Sequence, residues 1–204
     1  MSQIKLKHSG GNSVIIAAPD SNPASDRTLK LPSDGDGTIL TTNSSVGKLV
    51  NYSHTLKTDT FSASLGQGGV SGDAISVSHT ASSTNNKLFI SYSITCGASY
   101  SGFMSLKSYL YIGGSVSTAI GDAASNLVRN TTAGFGANDH ALNQSFQTII
   151  QAASTNATTY SVRLGHSDNT THTVYLNRTV DATDNNAYGR SCSSIQVLEF
   201  EPNT

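Results

Sequence analysis

The chain has no tryptophan, two cysteines and four prolines in 204 residues, and only 12% of it is charged. Leu and Glu, which favour helices, are scarce, so long helices are not expected. Lys and Arg number 12 against 13 Asp and Glu and form no cluster, which removes the electrostatic footprint that duplex binding needs. No apolar run approaches the ~20 residues of a membrane-spanning helix. Lys5 and Lys7 are not followed by an apolar stretch and a small-residue cleavage site, so no secretory signal is read and synthesis in a cytoplasm is expected. Cys96 and Cys192 fit small buried apolar residues. A disulfide would need neighbouring strands, and reducing conditions argue against one. No His stands in a pairing context that would make either a catalytic thiol.

What is present is polar and β-prone. Ser (32), Thr (23) and Asn (16) make up about a third of the chain. Thr favours strands, while Ser, Asn and Gly favour turns. A hydrophobic share of 36%, arranged in alternating runs, separates this composition from disorder. The first 45 residues are a series of short apolar runs: Ile4-Lys5-Leu6, Val14-Ile15-Ile16, Leu29-Lys30-Leu31 and Ile39-Leu40. Turn chemistry separates them at Ser9-Gly10-Gly11-Asn12, Pro19–Pro23 and Ser33–Gly37. Such strands cannot build a core alone. The natural cover is the same segment of another subunit, which makes Ile4, Leu6, Val14, Ile15, Leu29, Leu31, Ile39 and Leu40 candidates for intersubunit packing.

Residues 46–204 read as a separate domain. In Lys87–Cys96, the side chains of Leu88, Ile90, Tyr92, Ile94 and Cys96 fall on one face, the period-2 signature of a half-buried strand. Met104, Leu106, Leu110 and Ile112 continue such a face, with Phe103, Lys107, Tyr109 and Tyr111 opposite. That second strand is apolar on both sides, and Phe103, Tyr109 and Tyr111 are read as subunit-boundary residues. Phe146–Ile150, Tyr160–Leu164 and Val174–Leu176 alternate again. From Ile195 and Val197 the parity switches to Leu198 and Phe200, which calls for a bulge or a strand buried on both faces. The expected fold is all-β: a short N-terminal intersubunit strand segment (1–45), then an antiparallel jelly-roll-like β-sandwich (46–204) of about eight strands. Only Ala119–Arg129 resembles one short helix or turn.

Chemistry-bearing constellations are few. Asp34-Gly35-Asp36-Gly37 lacks the ligand spacing of a calcium loop and reads as a tight turn. His166, Asp168 and His172 match no zinc pattern and read as solvent-facing residues near a turn. Asp139-His140 has no serine elbow beside it. Glu199 and Glu201, near the C-terminus, nominate no carboxylate pair for glycoside cleavage. The reading is a protein without catalytic residues, metal or cofactor. The exposed connections supply Tyr100, Asn138, His140, Asn185 and Tyr188 as candidate receptor-facing residues, since Ser, Asn and Tyr in loops suit polar glycans or protein loops.

A series of segments carries a family resemblance. Gly11-Asn12-Ser13-Val14-Ile15-Ile16-Ala17-Ala18-Pro19-Asp20-Ser21-Asn22-Pro23-Ala24-Ser25-Asp26, Thr28–Pro32 and Asp36–Thr42 resemble a recurrent module of tailed-phage virion proteins, met in tail-fibre-like proteins of marine and cyanobacterial phages. Val46–Val50, Lys57–Ser62, Ala119–Ala124, Thr158–Val162, Val174–Arg178 and Gly189–Phe200 resemble successive pieces of the same proteins. Where those proteins show a Gln-Val-rich strand, this chain has Leu49-Val50-Asn51-Tyr52-Ser53. The resemblance implies a homotrimer mounted on a virion through its N-terminal segment, most often as a tail fibre or fibre tip that binds host glycan or protein without covalent chemistry. A capsid decoration, head-fibre or neck adaptor is the alternative, and a polysaccharide-degrading tailspike a more distant one.

Overall fold

The computed structural model describes residues 3–7, 9–11, 13–17, 48–100, 104–125, 127–136, 140–180 and 189–202. The chain divides into two compact units, Met1–Thr42 and Asn43–Thr204. In the first, β1 (Gln3–Lys7) and β2 (Ser13–Ala17) form an antiparallel hairpin in which Ile4 pairs with Ile16 and Leu6 with Val14. Gly11 sits in the turn at φ +98°, a conformation that costs glycine little. Leu29, Leu31, Ile39, Leu40 and the Asp34–Gly37 turn lie outside the described residues.

The second unit contains β3 (Leu49–Lys57), β4 (Phe61–Leu65), β5 (Ile75–His79), β6 (Lys87–Ala98), β7 (Met104–Ile112), β8 (Ser115–Val116), β9 (Thr132–Gly136), β10 (Leu142–Gln151), β11 (Thr158–His166), β12 (His172–Leu176) and β13 (Ser193–Phe200). Their pairings are antiparallel and nested. The outermost pair is β3 with β13, then β5 with β11, β6 with β10 and β7 with β9. Ile90 pairs with Val197 on one edge and Thr148 on the other, so one sheet runs β3-β13-β6-β10. By the same reasoning at Ser108, which meets both Leu164 and Thr132, the other runs β5-β11-β7-β9. A long hairpin rolled up in this way is a jelly roll. Strands β12 and β4 extend the first sheet where β13 leaves β6, and β8 caps the end of β7. The eight expected strands are thus the frame, and these three short ones are additions.

The core lies between the sheets and follows the alternation in the sequence. Leu88, Ile90, Tyr92, Ile94 and Cys96 of β6 are buried against Met104, Leu106, Leu110, Val162 and Leu164. Each such side chain stabilises by ~1.5–3 kcal/mol. The Tyr92 hydroxyl crosses to the Ser108 hydroxyl at 2.8 Å, and burial pushes the phenol well above its ordinary range.

Three expectations change, and a fourth resolves to one of its two alternatives. Ala119–Arg129 is the turn and not the short helix among its described residues: Ser125 takes φ +47°, Leu127 N–H reaches the Ala124 carbonyl at 3.0 Å and the Arg129 guanidinium folds back to the Gly121 carbonyl at 2.6 Å. Cys192 is exposed while Cys96 is buried, and both are free thiols. In β13 the parity does not switch. Ile195, Val197 and Glu199 all face the core and Leu198 and Phe200 face outward, while the expected irregularity is present as a register shift against β3 between Glu199 and Phe200. His166 is not solvent-facing but buried.

Candidate functional site

The outer face of the β3-β13-β6-β10 sheet inverts the usual pattern at one end. Because β13 turns Glu199 inward, Leu198 and Phe200 point out. Register then aligns an apolar row across all four strands: Tyr52, Leu198, Phe89 and Ile149. The ends of the row are most exposed, Tyr52 at 68% and Ile149 at 66%, and Leu198 and Phe89 are half-buried between them. Leu49 and Val50 add exposed apolar surface beside Tyr52. The next row, His54, Gln196, Ser91 and Gln147, is polar. Small serines there leave a shallow hollow of about 490 Å³, lined by Ser91, Tyr92, Ser93, Ser145, Phe146 and Gln147. Lys87, at the margin of this face, is tied to Gln151 at 2.6 Å. A contiguous uncharged patch of this kind is characteristic of an interaction surface.

Behind the row, Glu199 and His79 form a buried pair, Oε2 to Nε2 at 3.3 Å. The other carboxylate oxygen accepts from Asn86 Nδ2 (2.6 Å), Ser82 Oγ (2.7 Å) and Ser82 N–H (2.8 Å). Burial raises the Glu199 carboxyl, but these donors and His79 together outweigh it, so it titrates below the ordinary carboxylate range. Ser53 Oγ stands 3.0 Å from His79 Nδ1. The order Ser53–His79–Glu199 has the members of a hydrolase triad, yet the imidazole has no exposed surface through which a leaving group could receive a proton. Its chemistry is that of a clamp between β3, β5 and β13. On their strands His79 continues the inward face of Ile75 and Val77, and Glu199 that of Ile195 and Val197.

A second polar cluster lies at the start of β12. His172 Nε2 is 3.0 Å from Asp168 Oδ1, His166 stacks edge-on at 5.5 Å, and Tyr100 does so from the other side at 4.9 Å. The structure therefore brings His166, Asp168 and His172 together, although no group of three metal-ligating side chains is poised for a metal among the described residues. Asn177 ends β12 in the left-handed region at φ +63°. Its Nδ2 donates to the Lys57 and Asp59 carbonyls, both at 2.9 Å, and Ser193 Oγ donates to its Oδ1 at 2.6 Å.

The other sequence-nominated residues scatter. Tyr109 finds its cover within the chain, its ring lying over Gly165 beside the Gly69 carbonyl, positions where a Cβ on Gly165 would come within 3.0 Å and 3.1 Å of them. Tyr111 lies under the Arg163 guanidinium at 4.0 Å, which Asp73 holds at 2.7 Å. His140 is exposed. Phe103, Asn138, Asn185 and Tyr188 lie outside the described residues. Ile4, Leu6, Val14 and Ile15 belong to the β1–β2 hairpin.

No family model and no curated relative matches the sequence. Among solved structures, the chain is similar to one described as "Structure of infectious bursal disease virus Gx strain", with a TM-score of 0.36 and 14% identity over 94% of this chain and 47% of that one. The chain thus spans about half the length of that neighbour.

Proposed function

We propose that the chain is a structural protein of a tailed-phage virion, a tail fibre or fibre-tip part that assembles as a homotrimer and meets the host surface by non-covalent binding. The observation that carries the assembly half is the in-register row Tyr52–Leu198–Phe89–Ile149. Its two exposed ends lie on opposite edges of one sheet. A cyclic arrangement would set the Tyr52 edge of one copy against the Ile149 edge of the next, a heterologous contact that closes on itself. Covering such side chains would contribute ~1.5–3 kcal/mol each. The residues resembling phage fibre proteins support the virion setting, and the Ser- and Gln-lined hollow beside the row supports recognition by hydrogen bonds rather than catalysis.

Light scattering on the purified chain tests the reading. A native mass of about 64 kDa, three times 21.2 kDa, is expected. A stable monomer at 21.2 kDa would overturn the trimer. The capsid-decoration alternative, docking onto other virion proteins, would then take its place. Adsorption of the labelled trimer to host cells tests the second half.

A further inference from the structure

His172 lies where the β11–β12 turn meets the segment leaving β6. Its Nδ1 is 2.8 Å from the Ser99 carbonyl oxygen and its Nε2 is 3.0 Å from Asp168 Oδ1. A carbonyl and a carboxylate oxygen only accept, so each ring nitrogen must bring its own proton. The Thr170 hydroxyl, 2.8 Å from Nε2, offers one way round this. Yet the same hydroxyl is 2.6 Å from Asp168 Oδ1, and its single proton is needed there. We infer that His172 is a proton-operated latch: as the imidazolium it ties the 167–171 turn to Ser99, and losing one ring proton as pH rises releases the turn.

The surroundings favour placing the charge on His172 and not on its neighbour. Among the described residues, the titratable groups facing the ring are Asp168 from the turn, His166 from β11 and Tyr100 from the segment after β6. Strand β4, on the other edge of β12, runs Phe61–Leu65 and carries none. His166 Nε2 stands 2.9 Å from the Leu65 carbonyl and so holds a proton, while its buried Nδ1 has no partner among the described residues. A second proton there would be a buried cation without an acceptor, beside another cation. Hydrogen bonds from the Thr170 hydroxyl and N–H, then from His172, outweigh partial burial and hold the Asp168 carboxyl at about 2.

The sign of the pH response follows. Asp168, depressed in the folded chain, gives up its contribution only as pH falls toward about 2. Above that range the latch stays closed for as long as both ring nitrogens of His172 carry their protons. Two flanking bonds, Thr173 N–H to Ser99 Oγ (2.8 Å) and Ser99 N–H to the Thr173 carbonyl (2.9 Å), do not involve the ring. Opening therefore frees residues 168–171 and the edge-packed Tyr100 ring, while Ser167 N–H stays on the Ser105 carbonyl (3.1 Å) and the strand stays paired.

Long-range proton–nitrogen spectra of the full-length ¹⁵N-labelled chain test this directly. At pH 6, both ring nitrogens of His172 should be protonated and only one of His166. As pH rises to 9, the exchange rate of the Thr170 amide, which donates to Asp168 at 2.9 Å, should increase about tenfold beyond base catalysis. In His172→Gln that excess should vanish, because the charge-assisted link is already absent. A singly protonated His172 ring at pH 6 would overturn the latch, and so would the same excess exchange in His172→Gln. Neither readout depends on oligomeric state or on host binding.

Discussion

Glu199 and His79 meet across the sandwich with their side chains wholly shielded from water, one carried by β13 of the first sheet and the other by β5 of the second. Their 3.3 Å approach joins the two sheets at the end where the outer apolar row lies. Removing Glu199 strands the buried Asn86 amide without its 2.6 Å acceptor, so Glu199→Ala should lower stability by ~1–3 kcal/mol in urea denaturation. A loss below ~1 kcal/mol would mean that water reaches the site when the partner is gone.

The same pair sets an acid response. The Glu199 carboxyl titrates below its ordinary value of 4.5 in the folded chain, so its stabilisation is complete above that value and is lost as pH falls toward the folded one. Thermal melts between pH 6 and pH 3 should show this fall, and Glu199→Gln should flatten part of it. An unchanged acid slope in that variant would assign the response to other carboxylates.

Asn177 combines a left-handed backbone with a buried amide that bonds three neighbours. Asn177→Gly keeps the backbone conformation and loses the amide, leaving the buried Ser193 hydroxyl without its acceptor at ~1–3 kcal/mol. Asn177→Ala adds the left-handed penalty of ~1–2 kcal/mol. Equal urea midpoints for the two variants would show that the backbone conformation relaxes.

The thiols should separate by exposure. Burial pushes the Cys96 thiol up to about 12, whereas Cys192 is exposed. A thiol reagent at pH 8 should label one cysteine in the native chain and both in denaturant. Rapid native labelling at Cys96 would reveal that β6 and β10 part locally.

Replacing the two ends of the outer row, Tyr52→Ser with Ile149→Ser, should leave the melting temperature of the isolated sandwich nearly unchanged, since exposed positions usually fall within ±0.5 kcal/mol. The native mass of the proposed trimer should nevertheless drop to that of the monomer. A mass that stays at the wild-type value would move the subunit contact elsewhere.

The alternation of Leu88 through Cys96 and of Tyr160 through Leu164 was enough to mark strands and their core faces, because period 2 is a local property. The nested pairing was not legible, since nothing local says that Val197 will lie beside Ile90. The apolar row was half legible. Leu198 and Phe200 stood out as misplaced hydrophobics, but a parity switch explained them more simply than a glutamate turned inward. Recognising Glu199 as a core residue needs its partner, and His79 lies 120 positions earlier in the sequence. At Ala119–Arg129 the spacing of Asp122, Ala123, Ala124 and Leu127 allowed one short helix or a turn, and the left-handed Ser125 makes it a turn.

Because β13 lies between β3 and β6, the sheet's central lane is filled by Ser193–Phe200, the last of the sandwich's described strands in chain order. While the ribosome is still adding them, β3 and β6 expose unpaired edges toward each other, and His79 has no carboxylate to face. Non-local pairing of this order is slow and leaves strands open to wrong partners. Maturation of the sandwich is therefore held back until Phe200 has emerged, and a nascent chain cut short before β13 would present two sticky edges instead of a partial fold.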